Sequence, residues 1–269
     1  MSRPRAGRAL AAALAIAGAA ACGAGAEGGG QAAGWWRPGV GVTWQWQLQG
    51  RLDERPEVDV YDVDPRVVGA AGVRRLRGEG RRVVCYFSAG SVEAFRGDPA
   101  LPPDVVGRPL AGYPDERWLD VRRAEVRSKV VSELDRARAG GCDGVEPDNV
   151  DAYANPSGFP LTAADQLAFN RFVAREAHRR GLAVGLKNDL DQVPALVDEF
   201  DFAVDEQYHE YGECAALRPF VAAGKPVLNA EYAARFRRSP EALCRAARRE
   251  GLSTLVLPVA LDGSFRRAC

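Results

Sequence analysis

The chain has 269 residues, with 36 basic and 36 acidic side chains and a formal net charge of zero. That balance excludes the broad basic footprint of a nucleic-acid-binding protein. A composition of 46% hydrophobic and 27% charged residues is ordinary for a globular protein, and the length suits one large domain or two small ones.

The N-terminus reads as a leader. Basic MSRPRAGR precedes the short apolar run ALAAALAIAGAAA, and Cys22 follows at once. The pattern is similar to a bacterial lipoprotein signal over residues 1–21, cleaved before a lipid-bearing Cys22; plain secretion is the competing reading. Residues 22–34 form a Gly/Ala-rich tether, and residues 35–269 form the folded domain. Membrane contact is expected only through the lipid on Cys22. An extracytoplasmic location permits disulfides. Cys85 lies in the apolar run VVCYF and is expected to be a free buried thiol. Five cysteines beyond Cys22 make an odd number, so at least one is expected free unless Cys22 pairs; Cys214, Cys244 and Cys269 are the better disulfide candidates, and the connectivity among them and Cys142 stays open. No CxxC or His/Cys cluster suggests zinc, and neither metal nor cofactor is expected.

Strand signals follow in chain order at 42–48, 58–63, 82–87, 143–147, 183–187, 202–207, 226–231 and 254–259. Helical segments lie between most of them, most clearly at 122–139, 162–180, 189–199, 214–223 and 240–250. Thr162 with Asp165 is close to a capping box, and Ser239 before Pro240 reads as an N-cap and first helical position. The first connection is too short for a helix, and WLDV at 118–121 reads as an extra short strand. Alternation over this length predicts an α/β fold, a single (β/α)8 TIM-type barrel. A doubly wound sheet is disfavoured, because QLQGRLDERPE after the first strand contains no GxGxxG turn.

In such a barrel the C-terminal strand ends form the active site. Nearly every one carries an acid or an amide: Gln45 and Gln47; Asp62 and Asp64; Glu146, Asp148, Asn149 and Asp151; Asn188 and Asp189; Asp205, Glu206 and Gln207; Glu231; Asp262. Crowded carboxylates raise one another's pKa values, so one can stay protonated while another ionises. Glycoside hydrolysis needs that division of labour, and Trp44 and Trp46 are placed to pack on sugar rings. For any single Asp, capping a helix or pairing with an arginine is the competing reading. No GxSxG elbow supports acyl transfer. DNVD at 148–151 lacks the EF-hand pattern.

Eight stretches carry a resemblance: WWRPGVGVTWQWQLQG, VDVYDVD, VVCYFSAGSVEAFR, ERWLDVR, GCDGVEPDNVDAY, GLAVGLKND, FDFAVDEQYHEYGEC and GKPVLNAEY. In this order they resemble glycoside hydrolase family 114, the endo-α-1,4-polygalactosaminidases, from about Trp36 to the C-terminus. The resemblance implies a (β/α)8 barrel that cleaves α-1,4-linked galactosamine-containing polysaccharide. It places the catalytic pair on Asp148, as nucleophile, and Glu206, as general acid/base, with retention of configuration. Glu206 then needs a raised pKa, which Asp205 could supply by repulsion. Trp46, Tyr61, Asp62, Asp64, Tyr86, Asn149, Asp151, Lys187, Asn188, Gln207 and Glu231 are the expected substrate-binding residues. The family often has Cys where this chain has Tyr208. The polysaccharide is the expected partner, nucleic acid is not, and a monomer is expected. A non-catalytic polysaccharide-binding barrel and a hydrolase of a different α-linked amino-sugar polymer are the alternatives.

Overall fold

Seven apolar runs rich in Val, Leu and Ala are buried almost end to end, as parallel strands covered on both faces must be. With the aromatic first strand they form eight parallel strands in one sheet. These are β1 (Trp44–Gln47), β2 (Val60–Val63), β3 (Arg82–Ser88), β7 (Gly144–Asp148), β8 (Ala183–Lys187), β9 (Phe202–Glu206), β10 (Val227–Glu231) and β11 (Leu252–Val256). Three more, β4 (Ser91–Glu93), β5 (Val106–Leu110) and β6 (Tyr113–Leu119), make a small antiparallel sheet inserted after β3. A two-residue β12 (Arg267–Ala268) completes the set. The computed structural model describes residues 34–93, 100–213 and 215–269. The expected leader, Cys22 and Cys214 lie outside them.

All eight expected strands are present, and the sheet is the curled α/β barrel type. No helix joins β1 to β2, as the short connection required. Of WLDV only Trp118 and Leu119 are strand, at the end of the longer β6, which pairs with both β4 and β5. The helices are α1 (Pro65–Gly78), α2 (Ala124–Gly140), α3 (Ala163–Arg179), α4 (Val193–Leu196), α5 (Tyr208–Tyr211), α6 (Arg218–Ala222), α7 (Ala234–Arg238) and α8 (Glu241–Glu250). The Thr162–Asp165 capping box opens α3. Helix α8 starts one residue later than expected, with Pro240 at its cap and no side-chain cap bond. Among the described residues no helix is long and apolar enough to cross a membrane.

Strand periodicity sorts the side chains into two cores. Tyr61, Val63, Cys85, Phe87, Val145, Val184 and Leu186 face outward onto the helices. Trp44, Trp46, Val60, Val84, Phe202, Val204, Leu228, Ala230 and Leu255 fill the interior. Gly185 makes room there, since a Cβ on it would lie 2.4 Å from the Phe202 ring. Two expectations fail for this reason. Tyr61 points away from the mouth and donates to the Pro56 carbonyl at 2.6 Å. Trp44 is sealed inside, its indole on the Ser253 carbonyl at 2.8 Å, and cannot meet a sugar.

Cys85 is not a free thiol: it is bonded to Cys142. The chain enters β7 at Cys142 beside the outer face of β3, and the two Cα atoms are 6.0 Å apart. A second disulfide joins Cys244 on α8 to Cys269. That bond anchors β12, which runs antiparallel along β11. The seam between β11 and β1 is closed by a patchwork. Ser253 Oγ donates to the Val42 carbonyl, Arg266 donates to the Trp44 carbonyl, and the Leu48 and Gln49 amides share the Leu261 carbonyl. Below the barrel, Trp35 stacks on His178 at 3.9 Å, and both bond Asp201. His178 is therefore structural.

Candidate active site

Three consecutive barrel strands end on a charged residue that faces the barrel mouth: β7 on Asp148, β8 on Lys187 and β9 on Glu206. The next residue in each case, Asn149, Asn188 or Gln207, has a positive φ of 61°, 47° or 64°. Left-handed backbone is costly for most side chains and least so for Asn. Each strand is thus turned sharply away just after the residue it presents inward.

Lys187 is the centre of the cluster. It is 3% exposed, and its Nζ lies 3.1 Å from Asp148 Oδ1, 3.1 Å from Glu206 Oε2 and 3.2 Å from Glu146 Oε1. The ammonium also sits 4.9 Å from the centre of the Trp46 ring, whose Nε1 donates to Glu146 Oε2 at 3.1 Å. Burial opposes the charge on Lys187, but Asp148, Glu206 and Glu146 together hold its pKa well above the usual value. Burial pushes Glu146 up to about 7 against the pull of Lys187, and burial with repulsion from Glu146 raises Asp62 well above its ordinary range.

Glu206 behaves differently from expectation. Burial pushes it up, but Lys187 and the Tyr232 hydroxyl outweigh burial and hold its carboxyl below the usual value. Tyr232 donates to Glu206 Oε1, and the Glu206 amide donates to Asn188 Oδ1 at 3.2 Å. Repulsion from Asp205 does not win, because a cation lies in direct contact on the other side. Asp205 is the neighbour whose pKa rises, chiefly by burial.

Above the cluster is a cavity of about 850 Å³. Trp46, Asp64, Tyr86, Asp148, Asn149, Asp151, Lys187, Asn188 and Glu206 all line it, so most of the expected residues converge. An adjoining cavity of about 480 Å³ shares Asp151, Asn188, Glu206 and Tyr113 with it and adds Gln207. Asp64 also caps α1, accepting from the Arg66 amide at 2.8 Å. Asp62 lies beneath the floor, fully buried. Glu231 lines neither cavity; it accepts the His209 amide at 2.7 Å and holds the turn after β9. Its odd position on β10 directs it outward, as with Tyr61 on β2.

Four residues are added to the expected set. Glu146 and Tyr232 touch Lys187 and Glu206, and strand parity could have found them, since they share the inward phase of Asp148 and Leu228. Tyr113 is 54% exposed and overhangs both cavities from the start of β6. Glu116 reaches the site from β6, where no barrel periodicity points. Among the described residues no group of three or more His, Cys, Asp or Glu side chains is arranged to hold a metal ion.

The profile of glycoside-hydrolase family GH114 matches residues 26–269. The chain belongs to that family. Among solved structures, Aspergillus fumigatus Ega3 in complex with galactosamine superposes with a TM-score of 0.82 at 35% identity, covering 88% of this chain and 98% of that one. The glycoside hydrolase domain of PelA from Pseudomonas aeruginosa gives 0.64 at 18% identity, over 82% of this chain and 96% of that one, and speaks for the fold alone. An uncharacterized protein of Deinococcus radiodurans is 29% identical over 205 residues, or 65% of this GH114 chain. The match spans 64% of that relative's own length.

Proposed function

We propose that this GH114 protein hydrolyses α-1,4-linked, galactosamine-containing polysaccharide with retention, using Asp148 as nucleophile and Glu206 as acid/base. The observation that carries the proposal is the shared ammonium. Contacts of 3.1 Å from one Nζ to each carboxylate allow those two oxygens to be no more than about 6 Å apart, a bound that admits the roughly 5–5.5 Å of retaining enzymes. Asp148 Oδ1 takes both Lys187 and the Asn149 amide, the latter at 2.8 Å. Oδ2 is left for attack on the anomeric carbon.

Glu206 is ionised near neutral pH, so it takes up a proton from solvent as the substrate binds. A sugar that displaces water from the cavity adds to the desolvation already opposing Lys187 and raises the pKa. Glu206 then protonates the leaving oxygen as Asp148 bonds the sugar. In the second half it takes a proton from a water that attacks the anomeric carbon, and the bond between the sugar and Asp148 breaks. The substrate's charge has support of its own: Asp151, Asp189, Asp191, Asp205 and Glu213 line the adjoining cavity with no lysine or arginine among them. Burial raises the pKa of Asp151, Asp189, Asp205 and Glu213, and an ammonium brought against them would lower those values again and pair with the carboxylates it ionises. The complex of Ega3 with galactosamine points the same way. Extracytoplasmic action belongs to the same proposal, supported by the two disulfides; activity confined to the cytosol in fractionated cells would rule it out.

The test is turnover of deacetylated α-1,4-galactosamine oligosaccharides by Asp148→Asn and Glu206→Gln. Both should lose more than about 10³-fold in kcat, and NMR of the first products should show the α-anomer. Near-normal turnover by either variant refutes the assignment. A β-anomer refutes retention, and binding of polymer without new reducing ends refutes hydrolysis.

A further inference from the structure

The small antiparallel sheet is bonded to the turn after β7 at Asn149. Its Nδ2 lies 2.8 Å from Glu116 Oε1, 3.0 Å from Ser88 Oγ and 3.0 Å from Ser91 Oγ. Ser91 Oγ also donates to Glu116 Oε1 and bonds Ser88 Oγ. Ser88 and Ser91 are buried, and Glu116 is 9% exposed. One carboxylate oxygen thus gathers a hydroxyl from β4 and an amide from the turn after β7.

The backbone is clamped at the same point. The Ala89 and Gly90 amides donate to the Asp148 carbonyl at 2.9 and 3.1 Å, and the Leu119 amide donates to the Gly90 carbonyl at 2.9 Å. A Cβ on Gly90 would fall 1.8 Å from the Asn149 carbonyl oxygen, so the two segments touch backbone to backbone. Asn149 is held left-handed, and in that conformation its own N–H reaches Asp148 Oδ1 at 2.8 Å.

We infer that Glu116 is a positioning residue: by fixing the Asn149 side chain it aims the Asn149 N–H, and through it the Asp148 carboxylate, at the reacting carbon. This rests on the proposal that Asp148 is the nucleophile. The inserted sheet is then part of the catalytic apparatus and not only a wall of the cleft. A carboxylate suits the role because a single oxygen can accept from two donors at once.

The experiment is a double-mutant cycle on deacetylated α-1,4-galactosamine oligosaccharides, with kcat, KM and Tm measured for each variant. Glu116→Ala should lower kcat about 10²-fold, as a misplaced reacting group does, with KM within about twofold. Glu116→Gln keeps an acceptor oxygen and should stay within about threefold of the parent in kcat. Asn149→Gly keeps the N–H and the left-handed turn but loses the anchor. In that background Glu116→Ala should have no further effect. If Glu116→Ala does not fold, Ser91→Ala takes its place in the cycle, with a smaller loss of kcat expected. Additive losses, or a change confined to KM, overturn the inference, since Glu116 would then act on the sugar directly. Asp148→Asn in the same series separates the two ideas. If it is active, the nucleophile assignment fails; if it is inactive and the cycle is additive, only the inference fails.

Discussion

Burying an unpaired ammonium costs several kcal/mol, and the site's cation survives because three carboxylates converge on it. The dependence is mutual, and Lys187→Met exposes it. Without the cation, burial dominates Glu206 and its pKa moves from below the ordinary carboxylate range to above it. In the parent, a depressed Glu206 contributes stability that is complete above its unfolded pKa and lost as pH falls through the folded value. In the variant the sign reverses, and ionisation at rising pH becomes a cost. Lys187→Met should therefore lose more Tm at pH 8 than at pH 5, and any residual activity should have its basic limb, set by the proton Glu206 must hold to act as acid, shifted upward. Thermal melts across that range check it; an equal loss at both pH values excludes Lys187 as the group that keeps Glu206 ionised.

At the scale of elements, the barrel was legible because its strands are short apolar runs punctuated by helix caps. Asp148, Lys187 and Glu206 were legible because each ends a strand and is followed by Asn, Asn or Gln. What misled was treating every strand-end acid alike. Tyr61, Asp205 and Glu231 occupy the outward phase of their strands, and a period of two separates them from Asp62, Glu206 and Tyr232. Cys85 was misread for a related reason: an apolar run looks inert, and its partner lies 57 residues away, just before the neighbouring strand β7. Glu116 lay beyond reach, because the inserted sheet has its own register and its docking on Asn149 is purely tertiary. That docking gives a prediction. Gly90→Ala places a methyl where the Asn149 carbonyl stands, so the β3 and β7 turns must part. We expect a stability loss of about 1–3 kcal/mol with a disproportionate fall in kcat. Denaturant melts and initial rates measured together decide it, and unchanged kcat would show that the contact is structural only.

For the molecule as a whole, buried acids dominate the response to pH. Burial and nearby carboxylates push Asp189 to about 8 and Glu146 to about 7, and Asp62 and Asp205 are raised as well. Between the ordinary carboxylate range and about pH 8 the folded state holds protons that the unfolded chain has released. Stability should therefore fall as pH rises through that window, and Asp189→Asn should flatten the upper part. Melts from about pH 5 to 9 test this; a Tm that climbs over the interval contradicts it. The seam of the barrel has a consequence of another kind. Its bonds join residues 209, 215 and 222 positions apart, by way of Trp44, Gln47 and Arg266. Contacts so distant along the chain form late. While the polypeptide is still being made, the first strand must wait for more than two hundred residues to emerge, its interior tryptophans uncovered. The nascent barrel is an open sheet with a sticky edge, and for that interval it depends on whatever in the cell shields unfinished chains from one another.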